Sequence, residues 1–100
     1  AQPDGPSVPG VLTAADQTAN AAIAGRPTRA NILVQSAGTT ACLVSVGAAT
    51  GGTAGVILSG GTSDDDGDGG HLATESVEAI WIYDLSGVGT CKFRYIEEVW

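Results

Sequence analysis

Between Arg29 and Gly47 the chain reads Arg-Ala-Asn-Ile-Leu-Val-Gln-Ser-Ala-Gly-Thr-Thr-Ala-Cys-Leu-Val-Ser-Val-Gly, two β-type runs around a polar link. Residues 31–36 place Ile32 and Val34 on one face, and residues 41–46 place Cys42, Val44 and Val46 on one face. A period of two is the mark of half-buried strands, since successive side chains leave a strand on opposite sides. The link, residues 37–40, is short and contains Gly38, so the two runs are expected to pair as an antiparallel hairpin. Further on, Ile80 and Ile82 alternate with Trp81 and Tyr83, so both faces are apolar and the strand should be central or covered. Cys91, Phe93 and Tyr95 then point inward against Lys92 and Arg94 outward. With 15 Gly, no Met and an apolar share owed mainly to Ala and Val, the expected fold is all-β: a small antiparallel, jelly-roll-like β-sandwich. Its strands are expected near residues 31–36, 41–46, 55–59, 77–84 and 90–98, with a weak strand near 18–23.

A chain of 100 residues holds one domain with one modest core. Residues 1–10 contain three of the four prolines, with Gly5 and Gly10 among them. That composition suits neither a helix nor a central strand. The expectation is an extended arm over residues 1–12, followed by a sandwich domain over 13–100. An arm without its own core gains order by burying Val8, Pro9, Val11 and Leu12 against another chain, which makes them candidate partner-binding residues together with Trp100. A net charge of −7 argues against nucleic acid as a partner, because phosphate contacts need clustered Lys and Arg. No apolar run approaches the roughly 20 residues that span a bilayer, and the amino terminus lacks a signal-peptide profile, so a soluble chain with no membrane partner is expected.

Residues 62–75 are the most unusual stretch. Asp64, Asp66, Asp68, Gly69 and Glu75 fall on the spacing D-x-[DN]-x-[DN]-G-x5-E, in which alternate carboxylates curl around a hard cation and a distal Glu closes the sphere. Asp64, Asp66, Asp68 and Glu75 are therefore the candidate Ca²⁺ ligands. The competing reading is a solvated acidic tip, because strand-like runs flank the loop where a calcium hand has helices. His71 is the single histidine, no Cys-x-x-Cys spacing exists and no G-x-S-x-G frames a serine, so neither zinc nor an enzyme is expected. The glycine-rich residues 47–55 lack the Lys and following helix of a phosphate loop. Arg26 and Arg29 read as surface residues in weak ion pairs, or as a pair receiving a partner's carboxylate. Cys42 and Cys91 fall on the apolar faces of their strands; buried thiols are the default, and a disulfide requires that the two strands face one another.

Arg29, the run Ile32 to Gln35 with Ser36, Gly38 and Thr39, the apolar run 41–46, Leu58-Ser59-Gly60-Gly61, Ile80 to Tyr83, and Tyr95 to Glu97 together resemble a family: the small β-sandwich virion proteins of tailed bacteriophages, among them capsid decoration (cement) proteins and related head or tail attachments. The resemblance covers about two-thirds of the chain. Ser36 stands where the family usually has Asn, and the proline-rich segment has no clear counterpart. What the resemblance implies is a structural, non-catalytic protein on the outside of the virion capsid, bound to the major capsid protein or other virion subunits and bridging them. A homo-oligomer, a trimer for preference, is expected, since a small sandwich has edge strands to cover and such proteins occupy symmetric sites. The alternative is a glycan- or receptor-binding module of a phage tail or fibre, Ca²⁺-dependent through the acidic loop.

Overall fold

The structure is a computed structural model that describes residues 5–15, 21–85 and 90–100. Residues 1–4 of the expected arm, 18–20 of the expected weak strand and 86–89 of the turn before the last strand lie outside the described residues. The strands are β1 (Ser7–Ala15), β2 (Ala21–Ile23), β3 (Arg29–Ser36), β4 (Cys42–Val46), β5 (Val56–Leu58), β6 (His71–Thr74), β7 (Ile80–Asp84) and β8 (Thr90–Val99). No helix occurs among the described residues, so none is long and apolar enough to cross a membrane.

All pairings are antiparallel, in two four-stranded sheets ordered β1-β8-β3-β6 and β2-β7-β4-β5. Consecutive strands alternate between the sheets except at β4 and β5, which are neighbours in one sheet, and this is the double-sheet wrapping of a jelly roll. The expected β3–β4 hairpin is thereby corrected: β3 pairs with β6 and β8, while β4 pairs with β5 and β7. Residues 37–41 arch from one sheet to the other. The physical reason is burial. Ile32 and Val34 of one sheet and Cys42 and Val44 of the other share one apolar cluster with Ile80, Ile82 and Phe93, and face-to-face packing hides both sets where side-by-side pairing would leave one face of each open.

The expected arm is corrected as well. From Ser7 onward it is β1, an edge strand paired with β8 along its whole length, from Ser7 opposite Glu98 to Ala15 opposite Thr90. An edge position tolerates Pro9, whose missing N–H costs no ladder bond on the open side. The boundary expected after residue 12 falls inside this strand. Residues 71–74, read as part of an acidic loop, are the opposite edge strand, β6.

The outward face of β4 is not solvated either. Leu43 and Ser45 are buried, because residues 47–55 fold back over them. Ser45 Oγ donates to the Ala48 carbonyl at 2.9 Å. Gly52, at φ +85°, lies so close to Tyr83 that a Cβ would stand 2.6 Å from its ring.

Cys42 and Cys91, expected by default as thiols, form a disulfide between β4 and β8, and so between the sheets, with Cα atoms 6.1 Å apart. Closing a sequence separation of 49 residues removes loop entropy from the unfolded chain worth about 4 kcal/mol. Replacing both cysteines, as in C42A/C91A, is expected to lower unfolding free energy by about that amount with the fold retained. Urea denaturation of the variant beside the parent, with and without reductant, checks this: reductant should move only the parent.

Candidate functional site

Arg29 is a fully buried charged side chain, with 0% of its side chain exposed. Strand alternation puts residues 31, 33 and 35 outward, and Arg29 would follow them. A register shift between Arg29 and Asn31 breaks the phase: Arg29 pairs with Val99 and Asn31 with Glu98, so that Ala30 is the extra residue of a β-bulge. The bulge turns Arg29 into the interior. There its Nε donates to Glu97 Oε2 at 2.7 Å, Nη1 to the carbonyls of Ser76 (2.9 Å) and Glu78 (2.7 Å), and Nη2 to the carbonyl of Ala24 (2.8 Å). A guanidinium has five N–H donors, and these four bonds nearly exhaust them. Arg26 Nε joins the same Glu97 oxygen at 3.1 Å, from a side chain 43% exposed.

The expectation of two surface arginines is corrected for Arg29. Four of its five donors are spent inside the chain and its side chain is fully buried, so it is out of reach of a partner's carboxylate. Breaking such a buried pair is costly, of order 3–5 kcal/mol, because the survivor is left as an uncompensated charge.

The acidic loop lies at the other end of the sandwich. It docks on the β3–β4 arch through the amide of Gly61 to the Gly38 carbonyl, the amide of Asp65 to the Ala37 carbonyl and the amide of Ser36 to the Gly70 carbonyl. The residue that anchors it is Asp65, at φ 56°, a left-handed conformation Asp tolerates better than most residues. Its Oδ2 accepts from Lys92 Nζ at 2.7 Å, and the Arg94 fork closes on both oxygens at 2.7 and 3.1 Å. The hydrogen bonds from Arg94 and then Lys92 hold the Asp65 carboxyl well below the usual carboxylate range. Asp66 serves the loop's own backbone, accepting from the amides of Asp68 and Ser63, which lowers its carboxyl pKa too.

The candidate Ca²⁺ ligands do not come together. Asp64 and Asp68 are exposed, Asp66 is turned to the loop amides, and Glu75 stands beyond β6. That strand carries Glu75 about 13 Å along at roughly 3.3 Å per residue, where a calcium loop would curl. Among the described residues no group of three or more His, Cys, Asp or Glu side chains could hold a metal ion. The pattern of alternate aspartates skips Asp65, the carboxylate that ties the loop to β8. The available signal was on β8, where Lys92 and Arg94 present two cations on one face.

Of the candidate partner-binding residues, Leu12 packs against the core and Val8 is partly buried, whereas Pro9, Val11 and Trp100 are exposed. The amide of Trp100 donates to the Thr28 carbonyl at 2.9 Å. Between the edges of β5 and β6 the two sheets stand apart. They leave a mainly apolar cleft of about 430 Å³ whose lining includes Val44, Val46, Val56, Leu72 and Thr74. Comparison with known proteins finds no matching family model, no matching curated protein and no matching solved structure.

The Asp65 tether has a definite pH dependence. Because the folded-state pKa lies below the ordinary value of 3.8, its stabilisation is complete above that value and is lost as pH falls below it toward the folded pKa. Asp65→Asn should therefore melt below the parent at pH 7, and the gap should narrow steadily as melts are taken from pH 4 down to pH 2. A gap independent of pH would mean that the carboxylate charge is not what holds the loop.

Proposed function

We propose that this chain is a structural virion protein of a tailed bacteriophage, a decoration protein that sits on the outside of the capsid and bridges its subunits, with the cleft between β5 and β6 as its capsid-facing edge. The cleft is the observation that carries the binding role. Edge strands offer unpaired backbone donors and acceptors, and an extended segment of another chain can add to them while its alternate side chains fill an apolar groove. Val46 and Val56, 41% and 49% exposed, would be covered by such a segment.

The partner class comes from the sequence resemblance. What supports it is that the residues carrying the resemblance meet in space as framework contacts: Arg29 with Glu97 at one end, and Gly38 and Thr39 against Gly61 and Gly60 at the other. Gly60 sits so tightly on the backbone of Thr39 that any Cβ there would collide. A station on the capsid exterior also suits the charge. All four basic residues are engaged with Glu97 or Asp65, which leaves an acidic outer surface that keeps a densely covered particle soluble. Attachment is assigned to the cleft rather than to the proline-rich segment, because Ser7 onward is committed to the protein's own sheet.

The test is binding to capsids of the phage that encodes the chain. Purified protein added to undecorated heads should co-sediment with them. Val56→Asp, a change at an exposed position, should keep the parent's melting temperature and lose at least about tenfold in affinity, since a buried unpaired charge costs more than 1.4 kcal/mol. Absence of the chain from purified virions, together with no binding to heads, would overturn the reading.

A further inference from the structure

The outer face of the β1-β8-β3-β6 sheet carries an apolar row that crosses all four strands. Pro9 lies opposite Ile96, Ile96 opposite Leu33, and Leu33 opposite Ala73. Leu33 and Ile96 are each 42% exposed and Val11, one step along β1, is 51% exposed. A shallow depression of about 210 Å³ opens beside the row, lined by Leu33, Gln35, Arg94, Tyr95 and Ile96. Two residues from Ile96 in one direction stands Arg94, level with Gln35; two residues in the other stands Glu98, level with Asn31. Arg94 is held upright by Asp65 and still has 54% of its side chain exposed. Glu98 is exposed and has no ion-pair partner among the described residues.

We infer that this face binds a second copy of the chain, the two sheets stacking about a two-fold axis that runs along the apolar row. Such an axis keeps each strand over its own copy and reverses its direction. The row then meets itself, Arg94 of each copy faces Glu98 of the other, and Gln35 faces Asn31. The alternative two-fold, parallel to the strands, would set Arg94 against Arg94 if β8 lay over β8, so the charge pattern selects the first. Stacked sheets lie about 10 Å apart and are turned by about 30°; at roughly 7 Å from the axis that turn moves the ion-pair partners about 3.5 Å, within reach of their long side chains. Four strands about 4.8 Å apart and some six residues deep give a flat footprint of roughly 400 Å² per copy. That is roughly 800 Å² over both copies, below the range of stable interfaces, so the pair should be weak and reversible. The symmetry is that of a pair, not the expected trimer, and it does not depend on the virion reading, because the purified chain should show it without any capsid.

Charge exchange tests it. In sedimentation velocity over roughly 1 to 100 µM the chain should pass from monomer to dimer. Glu98→Arg and Arg94→Glu should each weaken the dimer by about tenfold or more, because every cross-pair becomes a like-charge contact. An equimolar mixture of the two variants should dimerise again, since R94E faces E98R across the axis with both pairs restored. Thermal melts of each variant show that it is folded; Ile96→Lys, which leaves the Asp65 tether untouched, should also give monomer. A parent that stays monomeric to 100 µM or forms trimers, a Glu98→Arg variant that dimerises like the parent, or a mixture no more associated than its components would each overturn the inference.

Discussion

The Arg29 guanidinium closes one end of this sandwich by answering carbonyls that no strand could answer. Residues 24–28 and 75–79 connect strands of different sheets and turn backbone acceptors toward the buried end of β3, where an unpaired group carries a penalty. Three of those acceptors, on Ala24, Ser76 and Glu78, converge on one planar fork, and Glu97 supplies the countercharge. A lysine could not substitute, having a point charge and no fork. The bulge at Ala30 exists in this sense for Arg29, since without it the side chain would leave the other face of β3.

The opposite end is closed by different chemistry. There the disulfide joins β4 to β8 in the interior, and Asp65 ties the acidic loop to Lys92 and Arg94 on the exterior. β8 belongs to both closures: it carries Cys91 and Glu97 inward and Lys92 and Arg94 outward, while pairing with β1 and β3. A strand so committed makes a stiff spine between the two surfaces proposed for association, the cleft at the β5 and β6 edge and the outer face around Ile96. The proposed binding role would gain from that stiffness, because a preorganised surface loses little entropy when it is covered.

Much of this was legible in the residues and some of it could not be. Alternation identified the inward faces of β3 and β8 and, through Cys42 and Val44, of β4, and the all-β class followed. Alternation gives the inside and outside of a strand but not which sheet it joins, so residues 31–36 and 41–46 read as a hairpin when they are facing layers. Extending the inward series Cys91, Phe93, Tyr95 by two residues reaches Glu97, a buried acid that demands a cation; that signal was present. The bulge that delivers Arg29 to it has no such local mark. Pro9 obscured β1, because proline argues against a strand everywhere except at an edge, and edge status is a property of the whole sheet. The aspartate spacing in residues 64–75 resembled a metal loop, but β6 cuts through it, and strand formation there depends on pairing with β3.

The two ends are closed by separate sets of contacts, Arg29 with Glu97 at one and the disulfide with Asp65 at the other. Native-state hydrogen exchange in an Arg29→Lys variant tests that directly, because hydrogen-bonded amides report on each end. Those of Arg26, Gly47 and Trp100 belong to the Arg29 end, and those of Ser36, Ala37 and Gly61 to the disulfide end. The variant should lose protection at the first three while the second three exchange at nearly the parental rate, through local opening of one end. A uniform loss of protection at all six, or no loss at Arg26 and Trp100, would contradict it.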